Sequence, residues 1–144
     1  MTRVPRRAND SLVLALAILA GACGGPGTQD HPSPPPSGSL GPVTQEAAGE
    51  AILGLCEIVG ATDPGAAATT FFDRSHQTLH VIAAATEVVD REAAAALLEA
   101  KQVIEADLGE PALPEGFSAD SGALLEATRA ALASIGLDGP ACPD

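Results

Sequence analysis

Four side chains with chemistry to offer fall on one face of a single predicted helix. In the run from Asp63 to Glu87, read at about 100° per residue, Asp73, His76, His80 and Glu87 lie within about 60° of arc. His76 and His80 stand one turn apart, about 6 Å along the axis, the separation at which one helix can chelate a transition metal through two imidazoles. Asp73 one turn earlier and Glu87 two turns later would add oxygen donors. Two nitrogens and two oxygens suit Zn²⁺, Cu²⁺ or iron, with at least one further ligand required from another helix. The competing reading is packing, with His76 against Phe72 on a half-buried face and His80 solvated. Phe71, Thr78, Leu79, Ile82 and Ala85 form the packing face of the same helix.

Other chemistries find little support. Gln77 stands where a zinc protease would carry glutamate after the first histidine, and no Gly-rich phosphate loop, nucleophile elbow or haem-attachment motif is present. Ser75 beside His76 makes no triad, because adjacent helical residues point about 100° apart and nothing orients a base on the serine. The residues thus point to a binding module and not to an enzyme.

The start of the chain places that module. Arg3, Arg6 and Arg7 precede the apolar run Leu12 to Ala20, which is too short to span a bilayer and reads as an export signal over residues 1–22. Gly21-Ala22-Cys23 resembles the lipobox of bacterial lipoproteins, with Ala20 where leucine usually stands three positions before the cysteine. The resemblance implies cleavage before Cys23 and its acylation with palmitate-type chains, giving an extracytoplasmic protein anchored to the bacterial membrane. The alternative is an ordinary secretory signal. Removing Arg3, Arg6, Arg7 and Asp10 leaves four basic against eighteen acidic residues, a net charge of −14. Such a surface repels phosphate backbones, which excludes nucleic acid and favours cations or a basic envelope partner. Residues 24–42 hold eleven Gly or Pro in nineteen positions, so with Cys23 they form a disordered tether over 23–42, reaching at most about 60 Å.

With Cys23 assigned to lipid, Cys56 and Cys142 remain, and an exported protein with an even remainder usually pairs them. Reduced thiols acting on a metal or in redox chemistry are the alternative, without the close spacing such motifs have.

Residues 43–144 carry the elements that must position these groups. Thr44 caps a first helix with Ala48, Ile52, Leu55, Cys56 and Val59 on one stripe, ended by Gly60. Asp63 and Pro64 open the histidine-bearing helix, which runs to about Val89. Asp90 caps a third, with Ala93, Leu97, Ala100, Ile104 and Leu108 inward and Gly109 at its end. A single bent rod through Asp90 would measure about 67 Å, so a break there is the better reading. Ser118 caps a fourth, with Leu124, Leu125, Thr128, Ala131, Leu132 and Ile135 on one face, closed by Gly136. This is an all-α domain, a small three- or four-helix bundle. In an up-and-down bundle of four, the tail must climb back about 18 Å for Cys142 to meet Cys56. The Phe71 to His76 and Leu79-His80 stretch, followed by Glu99 to Gln102, looks like segments of small exported bacterial lipoproteins of uncharacterised function, and that likeness implies no catalytic residues. The expected function is a membrane-anchored, non-catalytic interaction domain; the alternative is a metal-binding lipoprotein using His76 and His80.

Overall fold

The computed structural model describes residues 41–143, so the export signal, Cys23 and nearly all of the tether lie outside the described residues. Four helical rods form an antiparallel bundle, with no strand among the described residues. They are α1 (Gln45–Val59), the composite rod of α2 (Pro64–Thr70), a π turn (Phe71–His76) and α3 (Gln77–Glu87), then α4 (Arg91–Leu108) and α5 (Phe117–Ser134).

Three of the four starts follow from capping chemistry. Thr44 Oγ1 accepts from the Ala47 amide at 3.1 Å, Asp63 Oδ1 from Ala66 at 2.6 Å, and Asp90 Oδ1 from Ala93 at 3.0 Å, each satisfying an amide that a helix start leaves unpaired. The fourth start differs from expectation. Ser118 lies exposed inside α5, and Gly116 is the cap, without a side-chain bond. Burial of Phe117 draws the chain into the helix one residue early, and the first turn is held by the backbone, Asp120 N–H donating to Gly116 O at 3.0 Å. At the far end Gly136 takes φ +75°, and Leu137 N–H reaches Leu132 O at 2.9 Å. That is a Schellman closure, which needs a residue free of Cβ.

The histidine-bearing rod has no break before Glu87, since Thr70, Phe71, His76 and Gln77 all keep right-handed helical dihedrals. Its π turn answers a packing demand. In an unbroken α-helix Phe71 and Leu79 would stand about 80° apart around the axis. The wider turn narrows that arc, and Phe71, Ser75, Leu79 and Ile82 are all buried. Thr78 and Ala85, expected on this face, are only partly buried, while Ala83 and Thr86 are fully so. Similar one-residue shifts occur elsewhere. Ile58 is buried where Val59 was expected, and Ala94 where Ala93 was.

The core is aliphatic, with Ile52, Leu55, Ile58, Leu97, Ile104, Leu124 and Leu132 around Phe71. Small residues allow the rods to approach closely. Ser75 donates to Ala51 O at 3.0 Å between the π turn and α1, and Thr86 donates to Ala131 O at 3.2 Å between α3 and α5. Gly54 makes the first of these contacts possible, because a Cβ there would sit 2.5 Å from Ser75 Oγ. Gly54→Ala is therefore expected to destabilise the domain by about 1–3 kcal/mol, read by urea denaturation, and pairing it with Ser75→Ala should recover part of the loss.

Beyond Gly136 the chain turns back along α1. The Gln45 side chain donates to Asp138 O, Arg129 Nη2 donates to Pro140 O at 3.2 Å, and Gly139 lies so close to Ile52 that a Cβ would be 2.8 Å from Cγ1. This strap ends at Cys142, bonded to Cys56 across 86 positions with Cα atoms 5.4 Å apart. The climb required of an up-and-down bundle is thus made.

Candidate functional site

The histidine face is a polar seam between α3 and α4, and its makeup differs from the sequence expectation. His76 and His80 lie with ring centroids 5.0 Å apart, edge to face. The partner of His76 is Glu105 on α4, whose Oε1 stands 2.8 Å from His76 Nε2 and 2.7 Å from Lys101 Nζ. A carboxylate only accepts, so this contact assigns the His76 proton to Nε2. Asp73 and Glu87 are exposed, and among the described residues no hydrogen bond or ion pair joins either of them to the two histidines. Among the described residues no three His, Cys, Asp or Glu side chains come together as metal ligands. The ammonium of Lys101 instead shares the carboxylate oxygen that the second helix contributes.

Lys101 is the residue that the periodicity concealed. It sits on the stripe between Leu97 and Ile104 and is only 3 % exposed. A lysine on an apolar stripe, with glutamate four positions on, was the available sign that a buried ion pair would form there. Phe72 packs beside His76 at 5.3 Å and Phe71 at 5.8 Å, so aromatic rings close one side of the seam.

These neighbours set the charge states. Burial holds the His80 imidazole below its ordinary value of 6.5, with Lys101 and then His76 pushing the same way and Glu105 opposing them. For Glu105 burial pushes upward, but the hydrogen bond and charge of Lys101, then those of His76, outweigh it and hold the carboxyl low. The folded state therefore favours neutral His80, and on acidification the unfolded chain takes that proton first. Stability should fall as pH drops through 6.5 toward the lower folded value. Urea denaturation between pH 8 and pH 5.5 should show this slope, and His80→Gln should flatten it.

Other groups with chemical potential are engaged structurally. Arg74 on the π turn reaches Glu57 at 2.6 Å and Glu50 at 3.2 Å, fastening the composite rod to α1. Near the end of α4, burial and then the charges of Asp120 and Glu110 hold the Asp107 carboxyl above its usual range. A shallow cleft of about 280 Å³ lies where α1 meets α2, between Glu57, Ile58, Asp63 and Thr70. A second, of about 350 Å³, lies beside the disulfide, lined by Leu53, Cys56, Glu57, Arg74 and Pro143. No helix among the described residues is long and apolar enough to cross a membrane. Comparison of the chain with protein-family models, curated proteins and solved structures gave no match, so the reading of its function rests on its own residues.

Proposed function

We propose that this is a lipid-anchored, extracytoplasmic protein whose helical domain docks on an envelope partner and catalyses no reaction. The observation that carries the placement is the Cys56–Cys142 bond, since a disulfide linking the tail to the first helix belongs to an oxidising compartment. The arginine-rich start, the short apolar run and Gly21-Ala22-Cys23 supply the matching export and acylation signal. A non-catalytic role is supported by where the reactive side chains are engaged. Ser75 is held by Ala51 O, His76 and Lys101 by Glu105, and Arg74 by two glutamates. The net charge of −14 after processing favours a partner with a basic surface.

Expression of the full chain in a bacterium, with phase separation in detergent and intact mass of the extracted protein, tests this reading. The native chain should partition with detergent, begin at Cys23 and carry acyl mass, and Cys23→Ser should lose that mass. In-cell crosslinking should join the anchored domain to an envelope protein. Retention of the first 22 residues by the native protein, or thiols that remain reduced in the cell, would overturn the placement.

A further inference from the structure

We propose that Cys56–Cys142 is an exchangeable bond, which an external dithiol opens by attacking Cys56 so that the C-terminal strap is released from α1. The proposal concerns the described domain and does not depend on how the chain is anchored.

Three features of the geometry converge on it. Cys142 is exposed, and Cys56, although partly buried, is among the residues that line the cleft of about 350 Å³. Arg129 Nη2 lies 3.7 Å from Cys142 Sγ, so a guanidinium is already in place beside the sulfur that would leave as a thiolate. The bundle also has its closures without the strap. α5 ends in its own Schellman turn at Gly136, whereas residues 138–142 are tied down by the Gln45 and Arg129 hydrogen bonds, the contact of Gly139 with Ile52, and the disulfide itself.

The step balances as follows. The thiolate of the dithiol attacks Cys56 Sγ, the Cys56–Cys142 bond breaks, and Cys142 departs as a thiolate beside Arg129 before taking a proton from water. The second thiol of the reductant then displaces Cys56 from the mixed disulfide. The dithiol is oxidised by two electrons to its own disulfide, and both cysteines are left as thiols. Released, the strap uncovers the side of α1 on which Ile52 is now fully buried.

Arg129 separates exchange from mere accessibility, because it both fastens the strap and faces the leaving sulfur. If it only fastened the strap, its loss would speed reduction. If it stabilises the departing thiolate, its loss slows it. The full chain in detergent is treated with dithiothreitol at neutral pH and the free thiols are counted by alkylation and mass. Arg129→Gln should be reduced about three-fold more slowly than the native protein, and Arg129→Lys should stay within about two-fold of it. With glutathione as a single-thiol probe, the trapped adduct should map to Cys56. On reduction at low temperature, an Asp-directed protease should cut before Asp138 at least about ten-fold faster than in the native protein, while the four rods stay resistant. Equal or faster reduction of Arg129→Gln, an adduct on Cys142, continued resistance of the strap to cleavage, or cleavage throughout the bundle would each overturn the proposal.

Discussion

Replacing Cys142 by Ser, or reducing the native bond, is expected to lower the melting temperature by about 20 °C or more. The loop that the bond closes spans 86 positions, and in the chain-entropy model this restricts the unfolded ensemble enough to stabilise the fold by about 4.5 kcal/mol. For a domain of roughly 100 residues each kcal/mol moves the midpoint by about 4–8 °C. The contacts made by the strap add to the effect, because Cys142→Ser also frees Gly139 from Ile52 and weakens the Arg129 bond to Pro140 O. Calorimetry with and without reductant measures it, and reductant should leave the melting temperature of Cys142→Ser unchanged. A fall of less than about 5 °C would mean that the strap and its bond contribute little to the stability of the bundle. A large fall in midpoint is compatible with a folded reduced domain at low temperature, where stability is greatest and local release of the strap can be followed.

The sequence-based reading succeeded where local chemistry decides and failed where two rods compete for the same space. Thr44, Asp63 with Pro64, Asp90 and Gly136 each have one favourable role at a helix end, and each fills it. The all-α bundle and the break near Asp90 followed from such signals, whereas the pairing of Cys56 with Cys142 followed from the even remainder of cysteines expected of an exported chain. The π turn left no local mark, because it exists to bring Phe71 and Leu79 onto one face against α1, a demand set by residues distant in the chain. Ser118 lost its capping role for a similar reason, burial of Phe117 outweighing a hydrogen bond worth about 1 kcal/mol. At the histidine seam the i, i+4 spacing placed His76 and His80 together, and that much was legible. Their true partners were not, since a helical wheel treats every charged residue as a solvated one. Glu105 and Lys101 reach the pair only because α4 runs antiparallel beside α3 in this register.

That register gives Glu105 two partners, Lys101 and His76. Glu105→Ala should destabilise the bundle by about 3 kcal/mol, because it leaves the Lys101 ammonium, 3 % exposed, without the carboxylate 2.7 Å away. Lys101→Met should be tolerated or even stabilising, since an unbranched apolar chain can fill the same stripe between Leu97 and Ile104 without a desolvated charge. The two substitutions together should then be more stable than Glu105→Ala alone by about 2 kcal/mol, a coupling that a denaturant double-mutant cycle reads directly. The pH dependence distinguishes this account from simple loss of packing. Because Glu105 is held below its ordinary value of 4.5, its contribution is present above that pH and is lost as pH falls through the folded value, so native and Glu105→Ala stabilities should converge in acid. Glu105 also supplies the influence that favours protonated His80, and without it burial and Lys101 act on that imidazole unopposed by the carboxylate. Stability of Glu105→Ala should therefore fall more steeply than that of the native domain as pH drops through 6.5, and adding Lys101→Met should restore a shallower slope. If Glu105→Ala costs under about 1 kcal/mol with no coupling to Lys101, the ammonium has found water and the seam is a solvated surface pair.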